Sequence, residues 1–119
     1  SVVVKHLRQY FINDLLTEKF VIIFLSGNNS IIATETLFTG TLTSSAVYPR
    51  EVIRKVLEYG AAALIIAHNH PSGNLSPSND DKAITKRLQE ACKTIDVLIH
   101  DHIIIAGEGH TSFADKGLM

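Results

Sequence analysis

A chain of 119 residues, 45% hydrophobic and 19% charged, fits one globular domain and is long enough to bury a single core. Its 11 basic and 12 acidic residues give a formal net charge of −1, so there is no overall basic footprint of the kind that marks a nucleic-acid binder. One cysteine excludes an internal disulfide, and no apolar run approaches the roughly 18 residues of a membrane span. No signal-peptide pattern opens the chain, and the single Cys92 suits a reducing compartment, so a cytoplasmic location is expected.

In chain order, KHLRQYFINDLLTE (5–18) places Leu7, Tyr10, Phe11, Asp14, Leu15 and Leu16 at helical spacing and predicts an amphipathic helix. FVIIFLS (20–26) is a continuous β-branched and aromatic run, the signature of a buried strand. GNN (27–29) turns the chain into a second strand, SIIATETLFTGT, which makes a hairpin signal. PREVIRKVLEYG then predicts a helix opened by Pro49 and stopped by Gly60, with Val52, Ile53, Val56 and Leu57 as its apolar stripe. AALIIAH (62–68) is another buried strand, with His68 at its end. NDDKAITKRLQEACK predicts a helix with Ile84, Leu88, Ala91 and Cys92 on one face, where Cys92 reads as a small core residue. VLIHDHIIIAGEG is a strand ending in a glycine turn, with room for a short strand after it. The order α-β-β-α-β-α-β implies an α/β fold, a mixed sheet sandwiched by helices.

The chemistry concentrates in AHNHPSGNLSPSNDD (67–81). In an extended segment, residues i and i+2 point to the same side, so His68 and His70 can converge on one point. Two imidazoles fall one short of the three protein ligands of a typical catalytic zinc site. Pro71, Gly73 and Pro77 fold the chain back, and Asp81 lies nearer than Asp80 to the apolar face of the following helix. A second reading stays open on spacing alone: Ser78-x-x-Asp81 has the form of a helix capping box, and the whole segment can be a polar turn ending in a cap. The two roles are compatible. His102, beside Asp101 in IHDHIII, reads as a core or supporting histidine rather than a fourth ligand.

His68-x-His70-Pro71, six residues, then Ser78-x-x-Asp81 resembles the JAMM metalloprotease signature of the JAB/MPN superfamily. LFTGTLTSSAVYPREV, AAALIIAHNHPSGNLSPSNDDKAITKRL and DHIIIAGEGHTSF resemble its RadC subfamily, over nearly the whole chain. The resemblance implies a single RadC-type JAB/MPN domain over 1–119, with a cytidine-deaminase-like architecture. It also implies a zinc-dependent peptidase or isopeptidase in which His68, His70 and Asp81 hold Zn2+. In that family an upstream Glu acts through the bound water, and the position that matches is Glu18; the Ser that helps stabilise the tetrahedral intermediate matches Ser78. Spacing alone does not single out Glu18, since Glu35, Glu51 and Glu58 are other acidic positions and Glu18 also reads as a polar helix end. RadC-type chains usually carry His where this one has Tyr48. They also usually carry an N-terminal helix-hairpin-helix region, so this chain is expected to be the C-terminal part of a longer protein.

The expected partner is a peptide or protein substrate, with homo-oligomerisation left open and no membrane. The competing functions are a DNA-repair role of RadC type and a metal-bound, non-catalytic interaction module. The near-neutral charge argues against DNA binding by this domain alone.

Overall fold

The computed structural model describes residues 1–14 and 16–119. Its elements are α1 (Val2–Tyr10), β1 (Lys19–Leu25), β2 (Ile31–Thr39), α2 (Pro49–Tyr59), β3 (Ala63–Asn69), α3 (Asn79–Lys93), β4 (Leu98–Ala106) and β5 (Gly109–Ser112). The five strands form one sheet in the order β2-β1-β3-β4-β5. Only β3 and β4 run parallel, joined by the α3 crossover; the other neighbours are antiparallel.

Strand alternation divides the core in two. Phe20, Ile22 and Phe24 of β1, with Leu64 and Ile66 of β3, face Val52 and Val56 of α2 and Ile84, Leu88 and Cys92 of α3. Val21, Ile23, Ala63, Ile65 and Ala67 face the other way, onto Val4 and Leu7 of α1. Both central strands are buried on both faces, which explains their unbroken apolar runs. Cys92 is fully buried, and burial pushes its thiol up to about 11, so it behaves as a core hydrophobe.

Most predicted elements stand where the residues place them, including the Asn29 turn at positive φ and the Gly60 cap in the left-handed region. The first helix differs. It spans Val2–Tyr10 rather than 5–18, because the Ser1 hydroxyl caps its start and Val4, Leu7 and Phe11 supply the buried stripe. Past Phe11 the backbone leaves the helix and its carbonyls serve another partner, Asn69; Leu16 is 94% exposed. Leu15 lies outside the described residues. Leu57, expected in the stripe of α2, is exposed, and the helix docks through Val52 and Val56.

Candidate metal centre

Register explains why residues 50 apart in sequence meet. In the antiparallel β1–β3 pair, Phe20 is opposite His68. Continuing that register outward by two residues sets Glu18 against His70 on the face that carries α3. The donor atoms of Glu18, His68 and His70 lie within 4.8 Å of one another, a group that could hold a metal ion.

Helix α3 supplies the second acid. Its start is fixed by a reciprocal capping box: the Asp81 amide donates to the Ser78 hydroxyl at 3.0 Å, and the Ser78 amide donates to Asp81 Oδ2 at 2.8 Å. The cap leaves Asp81 buried at 2% exposure and its carboxylate 3.1 Å from His68 Nε2 and 3.3 Å from His70 Nε2. Asp80 is exposed and accepts instead from the Ser44 amide. The cap reading of the loop therefore holds, and the capping box is what delivers Asp81 to the histidines. Gly73, at φ +83, makes the turn that brings the loop back.

Hydrogen-bond bookkeeping fixes the tautomers. The Asp81 carbonyl can only accept, and the Thr85 hydroxyl donates to it at 2.7 Å. Thr85 Oγ1 therefore accepts from His102 Nδ1 at 2.5 Å. His102 is completely buried, and burial, with His68 beside it, holds its pKa well below the ordinary value, so it is neutral. Its Nε2 must then accept the proton of His68 Nδ1, 2.8 Å away. This leaves His68 Nε2 with a bare lone pair. On His70, Nδ1 donates to the Asn74 carbonyl at 2.6 Å, which bares Nε2 in the same way.

With both rings neutral, two imidazole lone pairs would face each other at 2.7 Å, with the Asp81 carboxylate against both. Burial pushes the Asp81 carboxyl up, but contact with His68 and His70 and the Ser78 amide outweigh it and hold it well below the usual carboxylate range. Three such electron-rich atoms converging in a buried corner would favour a cation between them. A proton is one such cation, and the His70 pKa is raised, chiefly by the bond to Asp81 and against the effect of burial. A tetrahedral metal with bonds of about 2.0–2.2 Å has ligand–ligand edges of about 3.3–3.5 Å. The contacts of 3.1 and 3.3 Å lie close to that edge, and the 2.7 Å pair needs only a small opening. The donor set fits a metal.

His70 lines a cavity of about 590 Å³ together with Glu18, Thr41, Pro71 and Ser78 among others. Ser78 Oγ accepts from Asp81, so its own proton is free to donate into that cavity. Glu35, Glu51 and Glu58 are engaged elsewhere, with Lys55 and Arg54. Tyr48 is exposed at the start of α2, with Arg50 over its ring. Sequence reasoning did not single out Thr85, a polar residue inside the apolar stripe of α3, where that misfit was the available signal. Nor did it give Asn69 a role at the site.

The family model described as a RadC-like JAB domain matches residues 1–118. The chain is similar to UPF0758 protein YfjY of Escherichia coli (strain K12), 47% identical over 86% of this chain and 64% of that protein. A UPF0758 protein of Thiobacillus denitrificans is 48% identical over 89% of this chain and 47% of its own length. UPF0758 protein YkfG of Escherichia coli (strain K12) is 46% identical over 86% of this chain and 65% of its length. The chain thus spans about half to two thirds of these curated relatives.

Proposed function

The chain belongs to the RadC-like JAB domain family, and on that premise we propose that it is a zinc-dependent hydrolase of peptide or isopeptide bonds. The observation that carries this reading is the convergence of two imidazole nitrogens and a buried carboxylate, with His70, Glu18 and Ser78 lining the adjoining cavity. His68, His70 and Asp81 would hold the ion, three protein ligands leaving one position free, which is the pattern of catalytic rather than structural zinc. Zinc, when bound, supplies a water whose pKa is lowered towards about 7 and a Lewis acid that polarises a carbonyl.

The remaining work falls to this chain's own side chains. Glu18 is half-buried at the cavity wall near His70, and there it would take a proton from the attacking water and return it to the leaving nitrogen. The Ser78 hydroxyl, oriented by the bond it accepts from the Asp81 amide, has its proton available for the oxygen that develops negative charge. Asp81 keeps its charge in the buried corner and so offsets that of the cation.

Elemental analysis of untagged protein, beside Asp81→Ala, tests the site; hydrolysis of a quenched-fluorescent peptide library, beside Glu18→Gln, tests the chemistry. About one zinc per chain, lost with Asp81→Ala, together with cleavage lost in Glu18→Gln at full zinc content, is the expected result. Zinc without cleavage of any peptide or isopeptide substrate would instead favour the non-catalytic module.

A further inference from the structure

We infer that Asn69, the residue between the two histidines, is a positioning residue that fixes Glu18 against them. The inference rests on the catalytic reading of Glu18 and deepens it. Alternation along β3 points His68 towards α3, whereas Asn69 projects to the opposite face of the sheet, the face of α1. There Asn69, 4% exposed, contacts backbone at three places through its carboxamide: Nδ2 donates to the Asp14 carbonyl at 2.9 Å and to the Thr17 carbonyl at 2.8 Å, and Oδ1 accepts from the Lys19 amide at 2.8 Å.

Thr17 and Lys19 are the two neighbours of Glu18. The only residue left between these clamped positions is the one whose side chain meets the metal corner. The Glu18 carbonyl is held as well, accepting from the Gly40 amide at 2.8 Å. A segment without regular secondary structure would otherwise sample many conformations, and fixing each backbone residue costs about 1–2 kcal/mol. One buried side chain on a rigid strand supplies that order here. The same strand end therefore sets the two histidines and the glutamate together.

Asn is required at this point by its chemistry. Asp in its place keeps the acceptor for Lys19 but turns both donations into oxygen–oxygen repulsion, and Ala removes all three bonds. Neither change touches His68, His70 or Asp81.

The test compares wild type with Asn69→Ala and Asn69→Asp by amide hydrogen exchange and by the Glu18 13Cδ resonance on addition of zinc chloride. The expected result is exchange at Lys19 and Gly40 faster by about tenfold or more, in line with loss of a buried hydrogen bond. Exchange at Ile22, Ile65 and Ile66 should be unchanged, zinc stoichiometry kept, and the zinc-induced shift of Glu18 lost. On any cleaved peptide, kcat should fall about 10- to 100-fold with KM little changed. Unchanged exchange at Lys19, or loosening spread evenly through β1 and β3, would overturn the inference, the second outcome leaving Asn69 a structural residue only. If wild type takes up no zinc, the zinc reading fails, while the exchange comparison on the metal-free chain still decides whether Asn69 holds Glu18.

Discussion

His68 Nδ1 and His102 Nε2 lie 2.8 Å apart, and the proton between them belongs to His68. That assignment follows from the acceptor-only Asp81 carbonyl at the far end of the chain Asp81–Thr85–His102–His68. The aspartate thus acts twice, its carboxylate meeting His68 Nε2 and His70 Nε2 and its carbonyl setting which nitrogen of His68 carries the proton.

Breaking the chain should loosen metal without removing a ligand. His102→Phe, which keeps the ring stacked on Phe113, and Thr85→Val are each expected to weaken zinc binding by about 10- to 100-fold, with Thr85→Ser near wild type. Chelator competition reads this directly. Wild-type affinity in Thr85→Val would show that the tautomer is set some other way.

Ser78 and Asp81 share a capping box but should separate in function. Ser78→Ala is expected to keep its zinc, to cost about 0.5–2 kcal/mol of stability for the lost cap, and to lower kcat by about 10²- to 10³-fold. Thermal unfolding, elemental analysis and single-turnover kinetics on one preparation check all three.

Zinc bound as proposed would compete with protons for one point, so the pH dependence has a definite sign. The His70 pKa is raised above its ordinary 6.5 by Asp81, and its proton must leave for Nε2 to bind metal. Apparent zinc affinity should therefore fall as pH drops through that raised value, by up to about tenfold per unit for one displaced proton. Metal-free protein behaves oppositely: the His70 contribution to stability is fully present below pH 6.5 and is lost as pH rises through the folded value. Isothermal titration and melting curves in chelator, across that range, measure both slopes, and His70→Gln should abolish the second.

Away from the site, Glu35 ties the edge strand β2 to α2 through Tyr59 and Lys55. The Tyr59 hydrogen bond first, and then Lys55, lower its pKa below 4.5. A depressed carboxyl stabilises the fold above pH 4.5 and loses that contribution as pH falls through the folded value. With the side chain 27% exposed, the effect should stay below about 1 kcal/mol. The melting difference between wild type and Glu35→Gln should be visible at neutral pH and vanish in acid.

The sequence by itself determined whatever depends on near neighbours along the chain. The apolar runs 20–26 and 62–68 read as buried strands, Ser78-x-x-Asp81 could form its own cap, and His68 and His70 could share a side of an extended segment. Helix α1 was less legible, because its apolar spacing continues past Phe11 while the carbonyls of Asp14 and Thr17 are drawn to Asn69, a partner more than 50 residues away. Glu18 was reached only through family resemblance, since nothing local marks it. Tertiary structure alone decided that Glu18 stands against His70, that Thr85 and His102 orient His68, and that Asn69 clamps the segment. Each of these contacts is fixed by strand register or by the seating of α3 on the sheet, and register is a property of two strands together, not of either sequence read alone.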